Sequence, residues 1–246
     1  MDFRMNSAAG KAILAKARGG DFAHPGEEEA VQLVARGLPK SPRNRVLDIG
    51  CGRGGTASWF QRNNFGLIYG IDVDSESIQY ARSTYPEVTF CPVDVAELTR
   101  KWDSKAFDLV CLFNSFYAFR DQPGALREIR DVCRSGSELC IFDYAKSNVA
   151  VIPAALGTEI GQPIVVETIT RWLAAAGWVD VIFEDWTERF VFWYGALLTA
   201  FEREQAWITK NFGIQWAEFV AHFYGSLKES LLAGDIRGTV LHAIAD

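Results

Sequence analysis

A glycine-rich loop lies between an apolar, strand-like run and a helical pattern near residue 50. The string VLDIGCGRGG runs from Val46 to Gly55. Glycines let the backbone turn tightly and let a ligand approach with no side chain in the way. The helix that follows offers unpaired N–H groups in its first turn. The loop therefore predicts a binding site in which the ligand lies close to the backbone.

Two classes of ligand fit this loop. Gly50, Gly52 and Gly55 match the GxGxxG pattern, and Asp72 follows about 20 residues later, as a dinucleotide-binding fingerprint requires. Asp48 stands two residues before the first glycine. A carboxylate there suits a ligand with an ammonium group and is awkward beside a pyrophosphate. Asp48 therefore favours a zwitterionic ligand, although the glycines alone fit both classes.

Further segments extend the pattern between about residues 43 and 183. They are GIDVDSESIQYAR at Gly70–Arg82, FCPVDV at Phe90–Val95, FDLV at Phe107–Val110 with Asn114 and Ser115 after it, and LREI at Leu126–Ile129. With the glycine loop, this combination resembles the class I S-adenosylmethionine (SAM)-dependent methyltransferases of small-molecule type. The family usually has Pro-Gly-Gly where this chain has Arg134–Ser137, a turn that we expect to lie far from the cofactor.

The resemblance implies SAM as cofactor, S-adenosyl-L-homocysteine (SAH) as product and a set of cofactor-binding residues. Asp72 would hold the ribose hydroxyls, and Asp94 would lie near the adenine amine. The implied cofactor-binding set is Asp48, Gly50, Cys51, Gly52, Gly54, Asp72, Val73, Asp94, Val95, Asn114 and Ser115.

Four residues are candidates for a catalytic role, and each also has a plain structural interpretation. Asn114 and Tyr117 follow the fourth predicted strand and could orient an acceptor, or they could only bond and pack locally. Asp143 ends the fifth strand at the expected ligand edge. His24 precedes a helix that could fold over the cofactor, where a lone His is often only a helix-start residue. No residue stands out as a general base, and in-line methyl transfer rests mainly on positioning.

The order of apolar runs and helical patterns predicts an α/β fold. We expect a seven-stranded, mostly parallel Rossmann-like sheet with helices on both faces. The predicted strands are Arg45–Ile49, Leu67–Asp72, Val88–Pro92, Phe107–Phe113, Glu138–Tyr144, Trp178–Phe183 and Gly238–Ile244. The expected single domain comprises an N-terminal helical cap (1–40), a SAM-binding core (43–183), a helical substrate-lid insertion (186–234) and a final strand (235–246).

The predicted insertion is rich in aromatic residues. They are Trp186, Phe190, Phe192, Trp193, Tyr194, Phe201, Trp207, Phe212, Trp216, Phe219, Phe223 and Tyr224. Many of them must pack the helices on the sheet. A lid lined with aromatic rings and the acids Glu184, Asp185 and Glu188 could also hold an apolar or cationic substrate.

The composition of the chain limits the classes of binding partner and the cellular compartment that we expect. The 246 residues carry a formal net charge of -6, which disfavours a surface built for nucleic acid. The five cysteines form no CxxC pair, which fits a reducing compartment. Without a signal-peptide pattern or an apolar run of about 18 residues, no membrane partner is expected and a cytoplasmic location is predicted. Three scattered histidines predict no metal site, and the oligomeric state stays open.

These features predict a SAM-dependent methyltransferase that acts on a small molecule, by N- or O-methylation. Three alternatives remain. An NAD-dependent oxidoreductase could use the same loop but leaves Asp48 and Asp94 without roles. A non-catalytic protein with a SAM-binding fold could use the aromatic insertion as an interface. A methyltransferase for RNA or protein is disfavoured by the acidic charge and by the missing basic appendage.

Overall fold

The computed structural model describes residues 3–156 and 159–246. Within these residues, eight strands form one mixed sheet in the order β3-β2-β1-β4-β5-β8-β7, with β6 paired to β5. The strands are β1 (Arg45–Ile49), β2 (Leu67–Asp72), β3 (Thr89–Pro92), β4 (Phe107–Phe113), β5 (Cys133–Lys146), β6 (Ile164–Val165), β7 (Trp178–Asp185) and β8 (Arg237–Ala245). In this part of the chain, β8 runs antiparallel to β5 and β7, and all other paired strands are parallel. The predicted fold class is confirmed.

Nine α-helices are present in the described part of the chain. They are α1 (Ala8–Arg18), α2 (Glu27–Ala35), α3 (Gly55–Arg62), α4 (Ser75–Thr84), α5 (Leu98–Lys101), α6 (Gln122–Val132), α7 (Val166–Ala175), α8 (Thr187–Phe212) and α9 (Ile214–Ala233). Short polar side chains fix several starts. Ser7, Asp74 and Asp121 each accept a backbone N–H at the beginning of α1, α4 and α6.

Two details differ from the prediction. β5 begins at Cys133, five residues early, because residues 134–137 form an irregular pairing with β4 in which the Ser137 hydroxyl donates to the Phe107 carbonyl at 2.8 Å. The two-residue strand β6 is not among the strands that the sequence predicts. It is too short to leave a period-2 signal.

The sheet separates two apolar cores. Along β5, Cys140, Phe142 and Tyr144 face one core, while Leu139 and Ile141 face the other. This alternation follows from the two-residue period of a strand. Helices α1 to α4, α8 and α9 supply the first core, and α5, α6 and α7 supply the second. The predicted cap and insertion therefore lie on the same face of the sheet.

Strand alignment sets the position of the candidate site. The parallel strands β1, β2, β3 and β4 all end at one edge, where Asp48 is in register with Gly70 on β2 and with Cys111 on β4. This carboxyl edge is where open α/β sheets bind ligands. Across the residues described, no helix combines the length and apolar character that a membrane crossing requires.

Candidate active site

The glycine loop turns sharply between β1 and α3. The N–H groups of Gly50 and Cys51 both donate to the Ile71 carbonyl, at 2.8 and 2.9 Å. Gly50 has φ +74°, and a Cβ at this position would lie 2.3 Å from the Ser115 Cβ. Gly52 has φ +51°, and a Cβ there would meet no heavy atom within 4 Å. The loop is therefore packed on one side at Gly50 and open on the other at Gly52.

Two carboxylates flank this loop and differ in environment. Asp72 accepts the N–H of Gly52 at 2.9 Å and the N–H of Asp74 at 2.9 Å. Asp48 is fully buried, and its Oδ2 has no hydrogen-bond partner among the described residues. Burial, and secondly the nearby charge of Asp72, raises the pKa of Asp48 to about 7. A buried acceptor without a donor is costly, so Asp48 marks a position where a ligand can donate.

The ends of β2 and β3 offer a mixed polar and apolar surface. The Val73 side chain is 68% exposed, an unusual exposure for a large apolar residue directly after a buried strand. Asp94 is exposed, and its Oδ1 accepts the Ala96 N–H at 2.9 Å, while Val95 is buried. Val73 and Asp94 therefore stand on neighbouring strand ends, beside Asp72.

The loop after β4 reaches the same edge of the sheet. Ser115 donates its hydroxyl to the Ile49 carbonyl at 2.7 Å, which ties this loop to β1. Asn114 has φ +50° and donates its N–H to the Phe142 carbonyl at 2.7 Å. The Asn114 Oδ1 is buried without a partner in the described chain. Asn114 thus presents a second free acceptor, and Ser115 holds the loop in place.

Asp143 lies beneath that loop and is completely buried. Its Oδ2 accepts the N–H groups of Phe116 at 2.8 Å and of Tyr117 at 3.2 Å, and its Oδ1 accepts the N–H of Tyr144 at 2.7 Å. Burial raises the pKa of Asp143 to about 7, although these hydrogen bonds by themselves lower it. Both oxygens are therefore occupied by backbone donors, so this carboxyl group positions the loop.

His24 is also buried and fully bonded. Its Nδ1 lies 3.1 Å from the Pro25 carbonyl, and its Nε2 lies 3.0 Å from the Thr56 hydroxyl. Burial lowers the pKa of His24 to about 3, so the ring is neutral. It packs among Phe22, Phe113 and Phe142. His24 joins the N-terminal segment to α3 and does not line the cavity described next.

A cavity opens from the glycine loop towards the helices of the first core. The predicted site residues Gly52, Asn114 and Tyr117 line it, whereas Asp143 and His24 do not. The N-terminal segment, the turn at residues 159–160 and helices α8 and α9 supply the other walls. They contribute Met5, Asn6, Lys11, Leu14, Ala15, Asp21, Phe22, Ala23, Glu159, Ile160, Tyr194, Phe223 and Tyr224. Arg53 and Tyr144 complete the lining.

Some lining residues carried a sequence signal and others did not. Tyr194, Phe223 and Tyr224 belong to the aromatic set of the insertion, but their positions within the set do not separate them from core residues. The acids predicted for the lid lie elsewhere, with Glu184 accepting the Trp186 indole N–H and Asp185 accepting the Thr187 N–H. The acids that line the cavity are Asp21, from the N-terminal segment, and Glu159, from an irregular stretch with no motif.

The amino-acid sequence of this chain matches a known protein family. Residues 40–177, more than half of the chain, match the family model described as Methyltransferase domain. The chain belongs to this methyltransferase domain family. The predicted resemblance is confirmed.

Curated relatives of this methyltransferase domain include larger proteins. This chain is 28% identical over 214 residues to phosphoethanolamine N-methyltransferase of Triticum aestivum, and the match covers 83% of this chain and 39% of the relative. It is 32% identical over 128 residues to methyltransferase GfsG of Streptomyces halstedii, covering 50% of this chain and 45% of that protein. The chain thus spans about two fifths of the length of the first of these relatives.

Solved structures share the fold over almost the whole methyltransferase domain. Phosphoethanolamine N-methyltransferase 2 of Haemonchus contortus superposes with a TM-score of 0.87 at 18% identity, covering 98% of this chain and 58% of that one. The [4+2]-cyclase SpnF superposes with a TM-score of 0.79 at 23% identity, and the match covers 96% of this chain and 92% of the cyclase. The second match shows that the fold by itself does not specify methyl transfer.

Proposed function

We propose that this chain is a SAM-dependent methyltransferase that modifies a small molecule at nitrogen or oxygen. The observation that carries the proposal is the buried Asp48 Oδ2 without a partner, next to the open position at Gly52. A dinucleotide phosphate would meet a carboxylate here, whereas the ammonium group of the SAM methionine part would neutralise it. Family membership supports the same cofactor.

The residues present fit the parts of SAM. Asp48, with the Asn114 Oδ1, would accept the ammonium group, and Asp72 would accept the ribose hydroxyls. Val73 offers an exposed apolar side chain for the adenine face, and Asp94 and Val95 would lie at its edge. Gly50, Cys51, Gly52, Gly54 and Ser115 would shape the backbone around the ligand. When bound, SAM supplies a methyl group on a positively charged sulfur and leaves as SAH.

The chain's own contribution is positioning and exclusion of water. The cavity runs from Gly52 and Asn114 to tyrosines on α8 and α9, so an acceptor inside it would be surrounded by side chains. Asp143 is committed to backbone donors and His24 is buried, neutral and bonded, which leaves neither as a free base. Asp143 acts instead through Tyr117, whose N–H it accepts.

The size and setting of the cavity support a small acceptor. Residues of α1, α8 and α9 line it, and we propose that these helices act as cap and lid over the acceptor. The net charge of -6 disfavours nucleic acid as a substrate.

All five cysteines are unpaired, which supports a reducing compartment, and we propose the cytoplasm. Phosphoethanolamine, named for several curated relatives, is the first acceptor to test.

A ligand-binding comparison tests the cofactor. SAM and SAH should raise the melting temperature of the purified protein, and NADH should not. Stabilisation by NADH alone would overturn the proposal.

Asp72→Ala should weaken SAH binding about tenfold or more, since it removes charge-assisted hydrogen bonds worth about 1.5–3 kcal/mol. Activity is then followed as transfer of a labelled methyl group to a panel of small amines, alcohols and phenols. SAM binding without transfer to any of them would favour the non-catalytic alternative.

A further inference from the structure

One wall of the cavity is built from aromatic rings. Tyr117 and Tyr144 have ring centroids 5.4 Å apart, and Tyr194 and Tyr224 have centroids 5.7 Å apart. The hydroxyls of Tyr144 and Tyr194 are hydrogen-bonded to each other. Burial raises the pKa of Tyr224 to about 12, so its ring is neutral. The wall therefore combines several electron-rich faces with no charge of its own.

The charged groups of the cavity are unequally paired. Lys11 is hydrogen-bonded to Asp74 and to the Ser77 hydroxyl. Arg53 lies 3.3 Å from Asp21 and stacks on the Tyr80 ring. Both cations that line the cavity are thus neutralised by carboxylates.

Glu159 is different. Its Oε2 accepts the Met5 N–H at 2.9 Å, and it forms no ion pair within the described residues. It is close enough to Tyr117 and Tyr224 for its charge to add to the burial that raises the pKa of both phenols. The buried guanidinium of Arg18 pairs with Glu27 and does not line the cavity, but its charge acts on the Tyr194 and Tyr224 phenols and partly offsets the effect of burial on their pKa. Among the described residues that line the cavity, Glu159 is therefore the charged side chain without an ion pair.

The backbone around Glu159 is anchored to the rest of the site. Gln162 donates its N–H to the Tyr117 carbonyl at 2.7 Å. The Gln122 side chain donates to the carbonyls of Gln162 at 2.7 Å and of Phe116 at 3.1 Å. The turn that carries Glu159 is thus joined to the loop that carries Asn114, and both residues line one cavity.

We propose that Glu159 is the residue that selects the acceptor, and that the acceptor is a small primary or secondary amine bound as its cation. This inference rests on the proposed function and names the substrate class of the same site. An ammonium group is attracted to the faces of aromatic rings. A partly desolvated carboxylate strengthens that attraction and would itself be costly without a counter-charge. A neutral alcohol of the same shape gains neither contribution.

The chemistry balances with this choice. The bound ammonium loses one proton to solvent, and the resulting amine nitrogen forms the new bond to the methyl carbon as the carbon–sulfur bond breaks. The products are SAH and a methylated ammonium, because the nitrogen acquires the positive charge that the sulfur gives up and no further proton is needed. Glu159 therefore stays paired with substrate and product alike.

A second role for Glu159 is to fasten the N-terminal segment through Met5. The substitution Glu159→Gln separates the two roles because the amide oxygen still accepts the Met5 N–H while the charge is removed. Glu204→Gln is the matched control. Glu204 pairs with Lys16 at 3.3 Å and does not line the cavity.

The test measures binding to the full chain loaded with SAH. Ethanolamine, phosphoethanolamine and benzylamine are titrated by calorimetry, each against the alcohol in which hydroxyl replaces the amine. Wild type and Glu204→Gln should bind at least one amine at least tenfold more tightly than its alcohol. Glu159→Gln should lose that preference about tenfold or more, with SAH affinity and melting temperature unchanged.

The outcomes separate the two proposals. Failure of SAH to bind the wild type would refute the proposed function itself. Normal SAH binding with equal affinity for amines and alcohols would overturn the assignment of Glu159 and leave the proposed function standing. An unchanged amine preference in Glu159→Gln would do the same. A parallel fall in SAH affinity and melting temperature in this variant would assign Glu159 to fastening alone.

Discussion

The carboxyl group of Asp48 connects ligand binding to pH. Its pKa is raised to about 7 by burial and by Asp72, and an ammonium ligand requires the ionised form. The amino group of SAH stays protonated below pH 7. A carboxyl group with a raised pKa takes up a proton as pH falls, so binding must then weaken.

We therefore expect SAH affinity to fall about tenfold between pH 7.5 and pH 6, approaching tenfold per pH unit further down. Asp48→Asn should bind SAH more weakly at pH 7.5 and should lose this pH dependence. Calorimetry across the pH range measures both. A wild-type affinity that is level from pH 7.5 to pH 5.5 would contradict the role of Asp48.

Two glycines with positive φ differ in what surrounds them. Gly50 faces Ser115, while Gly136, with φ +79°, has open space where a Cβ would stand, with no heavy atom within 4 Å. Gly136→Ala should cost about 1 kcal/mol of unfolding free energy, the cost of the left-handed conformation alone. Gly50→Ala should cost at least about 2 kcal/mol more, because the loop after β4 must move. Urea denaturation compares them, and equal losses would show that contact with Ser115 does not constrain the loop.

At the scale of elements, the segment between α1 and α2 is held against α4 and the glycine loop. The Asp21 Oδ2 accepts hydrogen bonds from the hydroxyl groups of Tyr80 at 3.1 Å and Tyr85 at 2.9 Å. Asp21 also forms an ion pair with Arg53. These contacts keep the N-terminal segment over the proposed SAM site. They also explain how residues outside the family match come to line the cavity.

Asp21→Ala should loosen this segment. We expect cleavage within residues 3–26 by a nonspecific protease to become about tenfold faster, since the lost charge-assisted bonds are worth about 1.5–3 kcal/mol. SAH affinity should fall in parallel. Asp185→Ala is the control, because Asp185 forms an exposed ion pair with Arg237 at 3.9 Å. Equal cleavage of the two variants would argue against a fastening role for Asp21.

At the scale of the whole molecule, the last strand completes the sheet. β8 lies between β5 and β7 and is antiparallel to both. Its removal would leave β7 without a partner within the described sheet and would expose the hydrogen-bonding edge of β5. The family match ends at residue 177, so this strand lies outside the matched region.

Deletion of residues 235–246 should prevent folding. Backbone hydrogen bonds along two ladders and a row of buried side chains would be lost together. Circular dichroism and gel filtration should show loss of the native signal and aggregation. A folded monomer with native spectra would show that the core from β1 to β5 is stable without the edge strands.

Sequence patterns determined the fold class, the strands that end at the ligand edge and the glycine loop between β1 and α3. These depend on local chemistry: glycines between a buried strand and a helix, and acids at strand ends such as Asp48 and Asp72. Periodicity also determined most element bounds. It missed the start of β5 and the strand β6, because an irregular pairing and a two-residue strand leave no periodic signal.

Only the tertiary structure decided which residues face the acceptor. Asp143 and His24 have the right residue types at plausible positions, yet the fold surrounds them with backbone and hydroxyl partners. Glu159 has no motif, yet long-range contacts from Gln122 and Gln162 bring it beside tyrosines that are 35 and 65 residues away in sequence, Tyr194 and Tyr224. The proposed cofactor loop can be recognised in the sequence because Asp48 and the glycines are close neighbours in the chain. The proposed acceptor pocket is assembled from distant segments, which leave no local sequence pattern.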